Sequence, residues 1–165
     1  YEAGAVALGF DNVLKKTVRA KILKQGRRPD GRGLRDIRPI TCRVALLQYG
    51  PNALKRGDYV VFAFDGEAQA RYPGLRGQPF FKIVRGLPGD RITVEGRVVA
   101  INGEVVGQAK THTHHRQALE PIPAAVIPAG HYYVQGTSPD SFDSRYRASG
   151  LVRADQVLGT VIPLF

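Results

Sequence analysis

Lys82 is the residue whose setting asks for chemistry. It sits in Phe80-Phe81-Lys82-Ile83-Val84, an apolar run in which an ammonium ion is expensive. A lysine buried in such a strand loses proton affinity and becomes a competent general base near neutral pH. Further along comes Gly136-Thr137-Ser138-Pro139-Asp140-Ser141-Phe142-Asp143-Ser144-Arg145-Tyr146, a segment whose hydroxyls can hold such a lysine in place. Together the two segments point to hydrolysis by a Ser/Lys dyad. The bland alternatives are a strand lysine turned outward to water and a solvated polar turn around Pro139-Asp140.

The elements that must position these groups are short strands. Val44–Leu47, Asp58–Phe64, Phe80–Val84, Asp90–Glu95, Arg97–Ile101, His131–Gln135 and Gln156–Ile162 have strand composition and are bounded by turn residues. Gly96-Arg97 and Asn102-Gly103 punctuate RITVEG, RVVAING and EVVG, which predicts a hairpin meander over residues 90–106, set away from the catalytic centre. Nineteen Gly and eleven Pro favour turns over long helices. The fold class that follows is mainly β and antiparallel. One helix is expected near the start: Phe10, Val13, Leu14, Val18, Ile22 and Leu23 recur at helical spacing with Lys and Arg between them, and Gly26 is a plausible stop.

Charge divides the chain. Residues 11–43 hold eleven Lys/Arg against three Asp, a net of +8, whereas residues 44–165 hold thirteen against ten acidic residues, a net of +3. The basic stretch is either a solvated surface or a contact for anionic lipid headgroups or nucleic acid, and it should be peripheral to catalysis. The single Cys, Cys42, excludes an internal disulfide. No apolar run is long enough to span a membrane, but the chain begins at Tyr1 and not at Met, so an anchor or signal ahead of it is expected. His112, His114 and His115 lie close together without a neighbouring carboxylate, which reads as a solvated loop; no metal or organic cofactor is expected.

Three blocks in order, Arg56-Gly57-Asp58-Tyr59-Val60-Val61-Phe62, then Lys82 to Asp90, then Gly136 to Tyr146, resemble the signal peptidase I family. The likeness is closest to its conjugative-transfer branch, which matures pilin precursors at the bacterial inner membrane, and it covers roughly residues 54–165. It implies a signal peptidase catalytic core over residues 44–165, preceded by a basic helix and a Gly/Arg/Pro-rich segment over 1–43. It implies an endopeptidase in which Lys82 is the general base and Ser141 orients it, with Asp143 and Arg145 as a structural pair near the site, two apart on an extended strand. The family's serine nucleophile has no counterpart, because no serine precedes Ser138. Cys42 falls at nearly the required distance upstream of Arg56-Gly57-Asp58 and is the candidate nucleophile; the alternative is an ordinary core thiol. Val44 stands where the family usually has proline. The implied partner is a precursor polypeptide bound as an added strand, along Phe80–Val84 and the segment after Cys42. The implied location is the periplasmic face of the inner membrane, with an anionic membrane surface as a second partner and no nucleic acid.

A second resemblance lies in VRAKILKQGRRPDGRGLRDIRPI, residues 18–40. Its Arg-x-Asp-Gly-Arg and Ile-Arg-Pro-Ile elements are similar to the opening of a core domain of polynucleotide phosphorylase and RNase PH. The long α/β domain that carries the phosphate site in those enzymes does not follow here. Two competing functions therefore stand beside the peptidase: an RNA-binding fragment, and an inactive peptidase homologue.

Overall fold

Alternation of apolar and polar residues is carried into paired strands with little else. The structure, a computed structural model, describes residues 44–49 and 53–164. Its strands are β1 (Val44–Tyr49), β2 (Tyr59–Ala63), β3 (Pro79–Gly86), β4 (Arg91–Glu95), β5 (Val98–Ile101), β6 (Glu104–Gln108), β7 (Ala125–Val126), β8 (His131–Gln135), β9 (Val152–Arg153) and β10 (Val157–Leu164). They form a six-stranded sheet in the order β1-β10-β2-β3-β8-β9 and a four-stranded sheet in the order β6-β5-β4-β7. Every pair is antiparallel.

Each of the seven expected strands forms, with ends shifted by a residue or two. The meander closes as its turns dictate. Gly96 takes φ +60°, and Asn102 and Gly103 take +51° and +85°, the left-handed pair that a two-residue hairpin needs. A one-turn helix, α1 (Ala68–Arg71), and short 3-10 turns at Pro73–Leu75 and Ala154–Gln156 were not expected. Nor were β7 and β9, because two-residue strands carry no readable period. The amphipathic helix expected over residues 10–25, the basic segment and Cys42 lie outside the described residues.

Two apolar clusters hold the sheets. Leu54, Val60, Phe62, Phe64, Val84, Val134 and Val152 form one; Ile92, Val99, Ile101, Ile122, Ile127 and Tyr133 form the other. Truncating a ring such as Phe62 to alanine would cost about 3–5 kcal/mol. β8 belongs to both clusters, since successive strand residues point to opposite faces: Val134 packs into the first and Tyr133 into the second. This two-sided strand ends at Gln135, where the hydroxyl-rich segment begins.

Candidate active site

β3 places Lys82 on the same face as Phe80 and Val84. Val84 and Val60, the partner of Lys82 on β2, are fully buried members of the first cluster. Hydrocarbon therefore surrounds the lysine stem, and the residue is only 2% exposed. Its amine donates a hydrogen bond to Ser141 Oγ at 2.9 Å and lies 5.6 Å from the Phe80 ring centroid. The strand lysine is turned inward. Burial of this kind penalises the charged ammonium relative to the neutral amine.

Ser141 is 2% exposed, and its approach to Lys82 depends on a glycine. A Cβ added to Gly136 would lie 2.2 Å from Ser141 Oγ, 2.6 Å from Ser141 Cβ and 3.7 Å from Lys82 Cδ. A side chain at that position would displace the hydroxyl. Sequence reasoning did not single out Gly136; a glycine directly after a buried strand was the available signal.

The segment carrying Ser141 is organised by a buried ion pair. Arg145 Nε meets Asp143 Oδ1 at 2.9 Å and Arg145 Nη2 meets Oδ2 at 3.0 Å, with both side chains almost wholly buried. Burial alone would lower the affinity of the guanidinium for its proton; the hydrogen bond and charge of Asp143 outweigh it and hold Arg145 above its ordinary value. Arg145 Nη2 also donates to Ser141 O at 2.8 Å and Ser138 O at 3.1 Å, and Nη1 to Pro139 O at 3.3 Å. Asp143 Oδ2 accepts from Gly136 N at 2.9 Å. The expectation of an extended strand for this pair is corrected. Tyr146 N donates to Asp143 O at 3.0 Å, so the two residues occupy a turn. They still face one another because Asp143 Oδ1 also accepts from the Arg145 backbone N–H at 3.1 Å. Ser144 Oγ accepts from Val134 N at 3.0 Å and donates to Gly150 O at 2.8 Å, fastening the turn to β8.

A second charged knot joins the first two sequence blocks. Arg56 Nη2 meets both oxygens of Asp90 at 2.5 Å, Leu87 N donates to Asp90 Oδ2 at 2.7 Å, and Asn102 Nδ2 donates to Oδ1 at 2.9 Å. Burial would raise the Asp90 pKa, but the Leu87, Arg56 and Asn102 bonds prevail and hold it below the usual carboxylate value. Gly57 N donates to Val84 O and Val84 N to Asp58 O, which locks the start of β2 to the strand that carries Lys82.

His112, His114 and His115 are exposed, and no group of three or more metal-ligating side chains occurs among the described residues. Nor does any helix among the described residues have the length and apolarity to cross a membrane. Lys82, Ser141, Asp143 and Arg145 thus come together, whereas the position of Cys42 lies outside the described residues.

A family model described as signal peptidase, peptidase S26, matches residues 39–165. The chain belongs to that family. Signal peptidase I of Pseudomonas aeruginosa is 35% identical over 120 residues, covering 56% of this chain and 39% of that protein. A solved signal peptidase I from Enterococcus faecalis is 23% identical and covers 66% of this chain and 97% of its own, with a TM-score of 0.41. The polyribonucleotide nucleotidyltransferase of Natranaerobius thermophilus is 46% identical over 50 residues, covering 29% of this chain and 7% of that enzyme. The chain therefore spans well under half the length of the curated relatives it matches. The span assigned to the signal peptidase family includes the Lys82–Ser141 pair and both charged knots.

Proposed function

We propose that the chain carries the catalytic domain of a signal-peptidase-type endopeptidase that processes a secreted or pilin precursor in conjugative transfer, at the periplasmic face of the inner membrane. The observation that carries this reading is the buried hydrogen bond between Lys82 Nζ and Ser141 Oγ, 2.9 Å long. Family membership supports it, with residues 39–165 matched.

Lys82 is the general base. Its neutral amine takes the proton of the nucleophile, for which Cys42 is the candidate, and the resulting thiolate attacks the scissile carbonyl. The tetrahedral intermediate collapses with loss of the amine product, which receives the proton back from Lys82. A water molecule, deprotonated by the same lysine, then attacks the thioester and releases the new carboxylate and the free thiol. Ser141 fixes the direction of the amine throughout.

The precursor binds as an extended strand. Among the described residues, β8 pairs with β3 from Ile83 to Gly86 and no strand pairs with Phe80–Lys82 on that side, the edge along which the substrate strand would lie. An anionic membrane surface is a second partner, met by the basic residues 11–43.

The test is cleavage of a precursor peptide with small residues flanking the scissile bond, by the full chain and by its Lys82→Ala, Cys42→Ala and Cys42→Ser variants. Cleavage lost in Lys82→Ala and in Cys42→Ala is expected. Cleavage that survives Lys82→Ala sinks the base assignment, and cleavage that survives Cys42→Ala moves the nucleophile elsewhere. The likeness to polyribonucleotide nucleotidyltransferases supports a second reading, an RNA-contacting N-terminal third. Strongly salt-dependent RNA binding with no peptide cleavage would favour it.

A further inference from the structure

We propose that Gln135 is a positioning residue for the Lys82–Ser141 pair, acting through a ledge formed by residues 106–108 of the small sheet. The proposal rests on the peptidase reading of that pair.

Gln135 stands at the junction of three elements. Its backbone on β8 pairs with Ile83, next to Lys82 in β3, and the following residue is Gly136, against which Ser141 packs. Its side chain leaves this sheet altogether. Gln135 Nε2 donates to Val106 O at 2.7 Å, and its Oε1 accepts from the buried Tyr133 hydroxyl at 3.2 Å. The residue is 8% exposed, so an amide at this place would be costly without those partners.

The small sheet is shaped to receive it. Ala100 pairs with Val105 and Val99 with Gly107, so Val106 is an extra residue, a β-bulge on an edge strand. The bulge takes Val106 out of the ladder and leaves its carbonyl for Gln135. At the next residue, a Cβ on Gly107 would lie 2.9 Å from Gln135 Nε2 and 3.2 Å from Arg145 Cδ. Beyond it, Gln108 O accepts from Arg145 Nη1 at 3.3 Å. Arg145 in turn holds the carbonyl of Ser141. Bulge, glycine and edge carbonyl thus support both ends of the segment that presents the hydroxyl to Lys82. A leucine at 135 would keep the volume and the strand but remove both side-chain bonds, freeing the segment to slide relative to β3.

The test uses the full chain labelled with 13C at lysine ε-carbons, the Lys82 resonance being assigned by its loss in Lys82→Arg. In Gln135→Leu the Lys82 resonance should move, and its titration midpoint should differ from that of the wild type. The kcat for a precursor peptide should fall about tenfold with KM unchanged. A variant that melts earlier yet keeps the wild-type Lys82 resonance, midpoint and kcat would overturn the proposal in favour of plain structural support. Should Gln135→Leu not fold, Tyr133→Phe deletes only the hydroxyl that orients the Gln135 amide; a smaller displacement of the same Lys82 signal is expected, and an unmoved signal overturns the proposal. The titration needs no substrate. Absence of any wild-type cleavage would therefore count against the peptidase reading, while the Lys82 signal still decides the role of Gln135.

Discussion

The segment around the end of β8 and the outer face of the small sheet invert the usual distribution of residues. Beside β8, Lys82, Gln135, Ser141, Asp143, Ser144 and Arg145 are all buried. On the small sheet, Val98, Val105 and Val126 are exposed, Val105 at 65%. The exposed valines are unremarkable, since folded proteins leave much apolar surface in water. The buried polar groups are a different matter. A buried ion pair seldom stabilises more than hydrocarbon of the same volume, and breaking one is strongly destabilising. Their concentration around one amine–hydroxyl contact is the pattern of a site whose geometry is held at the expense of stability.

That contrast can be broken or sharpened by substitution, beginning where the effect is largest. Lys82→Ala should abolish precursor cleavage, a loss of about 10²–10⁴-fold or more in kcat for a general base, with the fold intact by circular dichroism. Retained activity would mean that the buried polar cluster serves packing alone. Gly136→Ala should reduce activity nearly as far without touching either partner chemically, because the new methyl falls on Ser141 Oγ. Wild-type kcat in that variant would show that the hydroxyl is dispensable. Arg145→Leu strands the Asp143 carboxylate and should lower stability by about 3–5 kcal/mol in denaturant titration.

A smaller effect is expected at the other charged knot. The Asp90 carboxyl is held below its ordinary value of 3.8. Its bonds therefore stabilise the fold above that value and are lost as the pH falls through and below it. Asp90→Asn should flatten the acid limb of Tm against pH, and an unchanged limb would refute the linkage. The smallest effect belongs to the exposed sheet: Val105→Thr should change stability by no more than about 0.5 kcal/mol. A much larger cost would mean that this face is covered in the working protein.

Much of this was legible in the chain. The strand positions followed from composition and turn residues, and the meander from Gly96 and Asn102-Gly103. Lys82 was suspect for its apolar neighbours alone, and the link to Ser141, Asp143 and Arg145 came from a family resemblance. The meander over residues 90–106 was expected to stand clear of the catalytic centre; its last residue, Val106, gives its carbonyl to Gln135, and Gln108 just beyond it gives its own to Arg145. Gly107 and Gln135 looked like ordinary meander and strand residues, since nothing local marks a bulge carbonyl waiting for a distant amide.

Local chemistry, then, was determined by the sequence itself. Backbone preference at Asn102-Gly103 and alternation along β3 act over a few residues, where a period of two or a left-handed turn is enough to decide the outcome. Contacts between distant segments were decided only by tertiary structure. Lys82 meets Ser141 across 59 positions, and Arg56 meets Asp90 across 34. Those meetings depend on β2 and β8 lying on either side of β3, with β8 turning a face to each core. No periodicity encodes a sheet order, because it emerges from how all the buried faces are covered at once.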